Sequence, residues 1–522
     1  MIGWADLMKT KTAVAVALPI IFVVGVLVLA ECVGGQRRRD AGAAQGPRRP
    51  NVILVLTDDL DHNLGTLDHL PKIKEMVGGQ GVTFPNMFVS ESLCCPSRSS
   101  IQRSQYIHNH QVLGNSPPNG GFEKFHQLNE EQSTIGTWVK AAGYRTGFMG
   151  KYLNGYPDTA AQNYVPPGWD EWDSPAAGNP YSEFNYTLNE NGNLVQYQHD
   201  ADAYLTDVLS QKATTFIQKT SSDRRPFFLF VATYAPHQPA TPAPRYQNAF
   251  AGETAPRPPS YNEPDVSGKP PWIQSKPLLG PPAQNQMDNL FRKRLASMLA
   301  VRDLIQKLLD TLKSAGQLDD TYIFFTSDNG FHMGEHRLHA GKLTPYEEDI
   351  RVPLFVRGPG VPAGQERQEL VANIDLAPTI AELAGARVPD FVDGRSLLSL
   401  LIPGVRTERW RGAFLVEQEE THFNPGPPRR QVLEPQDPLE QQLAAARQGV
   451  PAYAALRTPT QMYALYGDGF RELYDLTADP YELNNLAGKA DRNVVNRLDA
   501  WLKAFRQCHG AGCREVDVAP PH

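Results

Sequence analysis

The stretch NVILVLTDD, residues 51–59, decides the fold of this 522-residue chain. An almost unbroken apolar run over residues 52–56 is followed directly by Asp58 and Asp59. Apolar runs without polar alternation are typical of strands buried on both faces of a parallel sheet. Ligands of open α/β sheets bind at the carboxyl ends of such strands, where these two aspartates fall.

Other segments repeat this pattern and alternate with helical ones. Further strands are predicted at FFLFVAT 227–233, YIFFT 322–326 and RVPLFVR 351–357, the last pushed toward an edge by Pro353. Apolar residues spaced at helical intervals predict helices at 201–219, 287–315, 375–384 and 493–505. Strands that alternate with helices predict an α/β fold with a doubly wound parallel sheet. A hairpin is expected near residues 461–475, and an irregular insertion with 13 prolines at 236–282.

A second polar pair occupies the position after another predicted strand. Asp328 and Asn329 follow the 322–326 strand as Asp58 and Asp59 follow the first. Adjacent buried carboxylates are costly unless a cation neutralises them. Oxygen ligands without imidazole or thiolate favour a hard cation, Ca²⁺ before Mg²⁺. The sequence therefore predicts one metal ion at this edge of the sheet.

Basic residues also lie near the predicted strand ends and at a predicted helix start. The sequence CCPSR, residues 94–98, reads as a helix start, whose free backbone N–H groups attract anions. The cationic candidates are Arg98, Lys151, His237 and Lys342. Their shared placement predicts a pocket for a tetrahedral anion beside the metal.

At this point the sequence resembles the type I sulfatases. Residues 94–98 match that family's Cys-x-Pro-Ser-Arg signature, and the other landmarks follow in family order. They are TDD 57–59, GK 150–151, APHQP 235–239, SDNG 327–330, GK 341–342 and LYDL 473–476. The resemblance implies an alkaline-phosphatase-like large mixed sheet flanked by helices, with a smaller C-terminal α+β part. The expected division is a catalytic domain at 50–400 and a C-terminal subdomain at 401–522.

The resemblance also implies the roles of the site residues. Cys94 would be converted to Cα-formylglycine by the formylglycine-generating enzyme. One Ca²⁺ ion would be held by Asp58, Asp59, Cys94, Asp328 and Asn329. The catalytic groups around the sulfate ester would be Cys94, Arg98, Lys151, His237 and Lys342, with His237 or Lys342 protonating the departing oxygen.

Within the family the chain is most similar to glucosamine-6-sulfatases and extracellular heparan sulfate 6-O-endosulfatases. This likeness implies a sulfated carbohydrate substrate with 6-O-sulfate on glucosamine-type sugars. Two departures stand out: Gln102, Arg103 and Ser104 replace the family's Leu-Thr-Gly, and Leu153 occupies the place of a frequent histidine. Two alternatives stay open, a phosphodiesterase or phosphonate monoester hydrolase of the same superfamily and a non-catalytic sulfated-glycan-binding protein.

Charge and terminal segments bear on partners and compartment. The chain has 50 Lys and Arg against 57 Asp and Glu, a net charge of −7, which argues against nucleic acid as a partner. The uncharged, mostly apolar run at 12–30 predicts a signal peptide or a membrane anchor within residues 1–49. Cys508 and Cys513 are expected to form a disulfide. These features predict a protein that is secreted or anchored on the extracytoplasmic side.

Further histidines invite a second metal site. His332, Glu335, His336 and His339 lie close together, but their order is not His-Glu-x-x-His, and Gly334 weakens a helix. We expect pocket-rim or structural roles for these residues rather than metal binding. For His108 and His110, roles outside the pocket are likewise favoured.

Overall fold

The structure of the chain is a computed structural model. It describes residues 49–521 except 224, 406–408, 423–431, 433 and 447. The apolar run at 12–30, with its predicted signal or anchor, lies outside the described residues. No helix in the described part of the chain combines the length and apolar character that crossing a bilayer requires.

The described chain alternates strands and helices over most of its length. The strands are β1 Asn51–Thr57, β2 Val82–Thr83, β3 Met87–Phe88, β4 Arg145–Gly150, β5 Glu171–Gly178, β6 Tyr186–Glu190, β7 Asn193–Tyr197, β8 Phe227–Ala232, β9 Thr321–Ser327, β10 Arg351–Val352, β11 Leu354–Arg357, β12 Gln365–Glu366, β13 Val371–Ala372, β14 Phe414–Gln418, β15 Thr421–His422, β16 Gly449–Val450, β17 Tyr453–Arg457, β18 Gln461–Tyr466 and β19 Arg471–Asp475. The helices are α1 Pro71–Met76, α2 Cys94–Arg103, α3 Ile107–His110, α4 Gly121–Gln127, α5 Ile135–Ala141, α6 Leu205–Ser221, α7 Pro271–Gln274, α8 Pro281–Ser314, α9 Glu347–Ile350, α10 Leu376–Ala384, α11 Leu398–Leu401, α12 Pro438–Ala446, α13 Arg492–Phe505 and α14 Ala511–Val516.

A ten-stranded mixed sheet forms the centre of the fold. Its order is β12-β2-β11-β9-β1-β8-β4-β5-β6-β7. The central strands from β9 to β5 run parallel, and antiparallel pairs with β11 and β6 flank them. The predicted doubly wound arrangement is therefore right for the centre, and the sheet as a whole is mixed, as the family resemblance implies.

Strand β1 is apolar throughout because both of its faces are covered. Val52, Leu54 and Leu56 belong to one hydrophobic cluster, and Ile53 and Val55 belong to a second. Residues of α5 and α10 join the first cluster, while residues of α6 and α8 join the second. Burial on both faces thus explains the unbroken apolar run.

The prediction of one strand at 351–357 near a sheet edge is wrong. Pro353 divides the segment into β10, which pairs with β3 in a small separate sheet, and β11. Strand β11 lies inside the large sheet, hydrogen-bonded to β9 on one side and β2 on the other. Proline lacks a backbone N–H, and here it ends one ladder and precedes another.

The C-terminal part forms its own four-stranded antiparallel sheet, in the order β14-β17-β18-β19. The predicted hairpin is present, since β18 pairs antiparallel with β19. Helix α13 buries Leu498, Trp501 and Leu502 in a cluster with residues of this sheet. The expected Cys508–Cys513 disulfide is confirmed.

Candidate active site

The polar pairs after β1 and β9 meet because these strands are parallel neighbours. Thr57 is in register with Ser327, so the residues that follow them lie side by side. The Asp59 backbone N–H donates to Asp328 Oδ1 at 3.0 Å. Asn329 Nδ2 donates to Asp59 Oδ1 at 2.7 Å. The register of two buried strands thereby builds an oxygen-rich edge.

Cys94 lies at this edge, in the first turn of α2. Its Sγ is 3.4 Å from Asp58 Oδ1 and 3.8 Å from Asp59 Oδ1. Burial, with Asp58 close by, raises the pKa of the thiol well above its ordinary value. An unmodified Cys94 is therefore a neutral thiol at physiological pH, a poor nucleophile.

Arg98 lies one helical turn after Cys94 and links α2 to the residues that follow β9 and β4. Its Nε donates to Asp328 Oδ2 at 2.7 Å, and its Nη1 donates to the Lys151 carbonyl at 2.8 Å. Lys151 follows β4, and its Nζ is 2.6 Å from Asp58 Oδ2. The carboxylate of Asp58 raises the pKa of Lys151 against the opposing effect of burial, so this ammonium stays charged.

Lys342 and His237 approach Asp59 from two loops. Lys342 Nζ is 2.6 Å from Asp59 Oδ1 and 3.2 Å from Cys94 Sγ. His237 Nε2 is 3.6 Å from Asp59 Oδ2, and its Nδ1 is 2.7 Å from the Gln238 carbonyl. That carbonyl can only accept, so the ring proton is on Nδ1 and the Nε2 lone pair faces the site. Burial lowers the pKa of His237 to about 4, which keeps the ring neutral at physiological pH.

The oxygen atoms at this edge suit a metal ion. Asp59 Oδ2 and Asn329 Oδ1 are buried and have no hydrogen-bond partner among the described residues. Ligand atoms of Asp58, Asp59, Cys94 and His237 all lie within 4.8 Å of one another. A buried acceptor without a donor costs free energy that a bound cation recovers. The donor set therefore fits a hard divalent cation.

All the predicted site residues come together at this edge. They are Asp58, Asp59, Cys94, Arg98, Lys151, His237, Asp328, Asn329 and Lys342. Three carboxylates face the three cations of Arg98, Lys151 and Lys342. An added divalent cation would leave a net positive charge, which favours the binding of an anion.

Apart from Lys151, sequence reasoning missed the residues that line an adjoining cavity. They include Asn154, Tyr181, Tyr234 and Glu434. Glu434 Oε1 accepts a hydrogen bond from Asn154 Nδ2. Residue 434 belongs to a Pro/Gln/Ala-rich stretch without periodicity, so no sequence signal connected it with the site.

The segment 434–440, here called the covering segment, packs over the loops that carry His237 and Lys342. The Gln436 carbonyl accepts from Gln238 Nε2, and Leu439 N donates to the Ala340 carbonyl at 3.0 Å. Its Asp437 is buried, and burial raises the pKa of that carboxyl to about 7. The covering segment thus helps to exclude water from Lys342.

The other histidines considered from sequence lie outside this constellation. His108 pairs with Glu417 at 2.6 Å, and His110 is fully buried with Nε2 3.0 Å from Ser100 Oγ. His332 and His336 are also buried and pair with Asp349 and Glu263. All four make these contacts with residues that are not part of the candidate active site.

The sulfatase family profile matches residues 50–386, the part of the chain that carries every residue of this site except the covering segment. The chain belongs to the sulfatase family, and it is a sulfuric ester hydrolase.

Two relatives and one solved structure show which sulfatases the chain is similar to. The chain is 38% identical over 518 residues to the N-acetylglucosamine-6-sulfatase of Homo sapiens, covering 95% of this chain and 90% of the relative. It is 37% identical over 385 residues to the extracellular sulfatase SULF-1 homolog of Drosophila melanogaster, covering 73% of this chain and 34% of the relative. A solved structure of a protein in complex with its substrate D-glucosamine-2-N,6-O-disulfate matches with a TM-score of 0.69 and 24% identity, covering 90% of this chain and 99% of that chain. This structural likeness confirms the fold.

Proposed function

We propose that this sulfatase removes 6-O-sulfate from glucosamine-type sugars in sulfated carbohydrates. One observation carries the proposal. Cys94, two lysines and buried oxygen atoms that lack hydrogen-bond donors among the described residues all meet at one buried edge of the sheet. The likeness to N-acetylglucosamine-6-sulfatase over nearly the whole chain supports the choice of sugar.

We further propose that Asp58, Asp59, Asp328, Asn329 and residue 94 hold one Ca²⁺ ion. The ion would supply a Lewis acid that stabilises negative charge on oxygen. Conversion of Cys94 to the aldehyde Cα-formylglycine, followed by addition of water to that aldehyde, would supply a hydroxyl nucleophile in place of a neutral thiol. The approach of Cys94 Sγ to Asp58 and Asp59 supports placing that nucleophile beside the ion.

The remaining side chains would bind the anion and handle the proton. Lys151 and Lys342 face the metal ligands from two sides, so their ammonium groups would neutralise charge that grows on the sulfuryl oxygens. Arg98 would hold Asp328 and Asp58 in place. His237 presents an unprotonated Nε2, which makes Lys342 the better placed donor to the departing sugar oxygen.

An extracytoplasmic location is also proposed. The disulfide between Cys508 and Cys513 is typical of oxidising compartments, and the Drosophila relative is an extracellular sulfatase by name. A formylglycine-generating enzyme would be the maturation partner, acting on Cys94 before the chain folds around it, because the residue is fully buried.

The first test is the mass of the peptide that carries Cys94, from protein made in its native host. We expect an aldehyde in place of the thiol, trapped by a hydrazide reagent. A Cys94→Ala variant is the control. An unmodified thiol in folded protein would contradict the proposed chemistry and favour the glycan-binding alternative.

The second test compares substrates at equal enzyme concentration. We expect sulfate release from glucosamine-6-sulfate oligosaccharides, with weaker turnover of phosphate diesters. If the enzyme hydrolysed aryl sulfates but not these oligosaccharides, glucosamine 6-O-sulfate would be excluded as its substrate. Faster turnover of phosphate diesters or phosphonate esters would favour the hydrolase alternative.

A further inference from the structure

A second buried cluster of metal-binding side chains lies apart from the candidate active site. It consists of His336, Glu348 and Glu482, here called the distal cluster. Ligand atoms of these three residues lie within 4.8 Å of one another. Their exposed fractions are 1%, 6% and 1%, so solvent does not satisfy these groups.

Each member of the distal cluster has a buried polar atom that lacks a hydrogen-bond partner among the described residues. His336 Nε2, Glu348 Oε2 and Glu482 Oε1 are buried and find no hydrogen-bond partner in the described part of the chain. The neighbouring Glu335 Oε1 shares this condition. An unpartnered buried carboxylate oxygen is costly, and several together at one place call for a common partner.

The histidine is already oriented as a metal ligand. His336 Nδ1 is 2.7 Å from Glu263 Oε2, which fixes the ring proton on Nδ1 when Glu263 is ionised. The Nε2 lone pair then points toward the cluster. Metal-bound histidines commonly donate their other ring N–H to a carboxylate in this way.

The nearby cations are engaged with other groups. Lys269 Nζ donates to the Glu482 backbone carbonyl and, at 3.0 Å, to the Tyr474 hydroxyl. Arg457 pairs with Glu347 at 2.5 Å.

We propose that His336, Glu348 and Glu482 bind a second divalent cation, of the zinc class, with Glu335 beside it. One imidazole nitrogen with carboxylate oxygens suits Zn²⁺ or a similar first-row cation better than Ca²⁺, which prefers oxygen ligands alone. The site is independent of the proposed Ca²⁺ site, because it shares no ligand with it.

The cation would join three segments, two of them close in sequence and the third more than a hundred residues further along the chain. His336 belongs to the loop that leads to Lys342, Glu348 belongs to α9, and Glu482 follows β19 of the C-terminal sheet. Glu482 Oε2 already accepts from the Glu347 N–H at 3.0 Å. A bound ion would therefore fasten the loop of Lys342 to the C-terminal part, a structural role.

The test is metal content of the full chain, purified without a histidine tag or chelator, equilibrated with excess zinc chloride and passed through a gel filtration column. We expect about one zinc atom per chain by inductively coupled plasma mass spectrometry. Glu348→Gln and Glu482→Gln should each lower zinc content at least tenfold and leave calcium content unchanged. Zinc should raise the Tm of the wild type and not that of these variants.

Glu183→Gln is the matched control, because Glu183 is equally buried and also has an unpartnered oxygen within the described residues. It should keep the full zinc content. Wild-type protein without stoichiometric zinc would overturn the proposal, whatever the variants do. Zinc retained equally by all variants would show binding elsewhere and would also overturn it.

Discussion

Asp59 is the residue on which the contacts of the active site converge. One of its oxygens accepts from Asn329 and Lys342, and the other faces His237 at 3.6 Å without a hydrogen bond in the described structure. Although burial acts in the opposite direction, Lys342 and His237 hold the pKa of this carboxyl below its ordinary value. Asp59 is therefore ionised at physiological pH and can bind a cation through its second oxygen.

We expect Asp59→Asn to weaken calcium binding and to lower kcat/KM by roughly 10²–10³-fold, because a charged ligand becomes neutral. Bound calcium by mass spectrometry and initial rates on a sulfated glucosamine measure the two effects. Asp310→Asn, on the exposed face of α8, is the control and should match the wild type. Full calcium content in the Asp59 variant would contradict the assignment.

The pH dependence of kcat/KM reports on His237. Burial lowers its pKa to about 4, so the ring is neutral and its Nε2 unprotonated above that pH. We expect activity to persist as pH falls from 7 to 5. Protonation of His237 should then produce a falling limb of the pH profile near pH 4. His237→Gln should remove this limb, while limbs due to carboxylates remain. A limb above pH 6 that vanishes in His237→Gln would refute the neutral ring.

At the scale of elements, the end of β4 depends on a glycine. Gly150 has φ +105°, and a Cβ there would lie 1.8 Å from the Ala232 carbonyl oxygen, which accepts from the Lys151 N–H. We expect Gly150→Ala to lower the free energy of unfolding by about 2–5 kcal/mol and to displace Lys151. Denaturant unfolding and kcat/KM measure both effects.

Gly316→Ala is the matched control, since Gly316 also has positive φ, +65°, but a Cβ there would meet only open space among the described residues. It should cost only about 1–2 kcal/mol of backbone strain. Equal destabilisation by both substitutions would show that strain alone, and not close approach to β8, matters at Gly150.

Helices α2 and α3 are joined through a neutral histidine. The Val112 N–H donates to His110 Nδ1 at 3.1 Å, so the other ring nitrogen donates to Ser100 Oγ. Burial lowers the pKa of His110 to about 3. Below pH 6.5 this histidine binds a proton in the unfolded chain but stays neutral in the folded chain. The free energy of unfolding therefore falls as pH decreases from 6.5 toward 3.

We expect this histidine to contribute a slope of about 1.4 kcal/mol per pH unit within that window. Chemical unfolding of the wild type and His110→Gln from pH 7 to 4 isolates the contribution, because other groups titrate in both proteins. The difference in unfolding free energy between them should shrink as pH falls. A constant difference would contradict a buried neutral ring.

For the whole molecule, calcium should couple the active site to global stability. The ion would bind only the folded chain, since its ligands come from β1, β9 and α2. At a hundredfold excess over Kd the gain is about 2.7 kcal/mol. We expect EGTA to lower the Tm by about 2–3 °C in differential scanning calorimetry, because the entropy of unfolding is large for a folded part of this size. Asp59→Asn should respond much less, and an unchanged wild-type Tm would argue against the site.

Much of the fold was predictable because its central strands are buried on both faces. The apolar runs at Asn51–Thr57, Phe227–Ala232 and Thr321–Ser327 are each predicted as a buried strand, and all three lie side by side in the sheet. Strand β4, with sequence RTGFMG, and the exposed β7 carry no such run, so sequence periodicity missed them. Pro353 was predicted to push its strand toward a sheet edge, but β11 lies inside the sheet because it also pairs with β2, a strand of only two residues.

The sequence by itself determined which residues form the candidate active site, because each of these side chains is tied to a strand end or to a family motif. Which of their atoms lack hydrogen-bond partners within the described residues, and so are free to bind a cation, was decided only by the tertiary structure. The same is true of the covering segment and of the distal cluster, whose residues are separated by up to 146 positions between His336 and Glu482. Contacts of the C-terminal part with Tyr346 and with α9 bring those groups together, and no local periodicity encodes a contact made across such a distance.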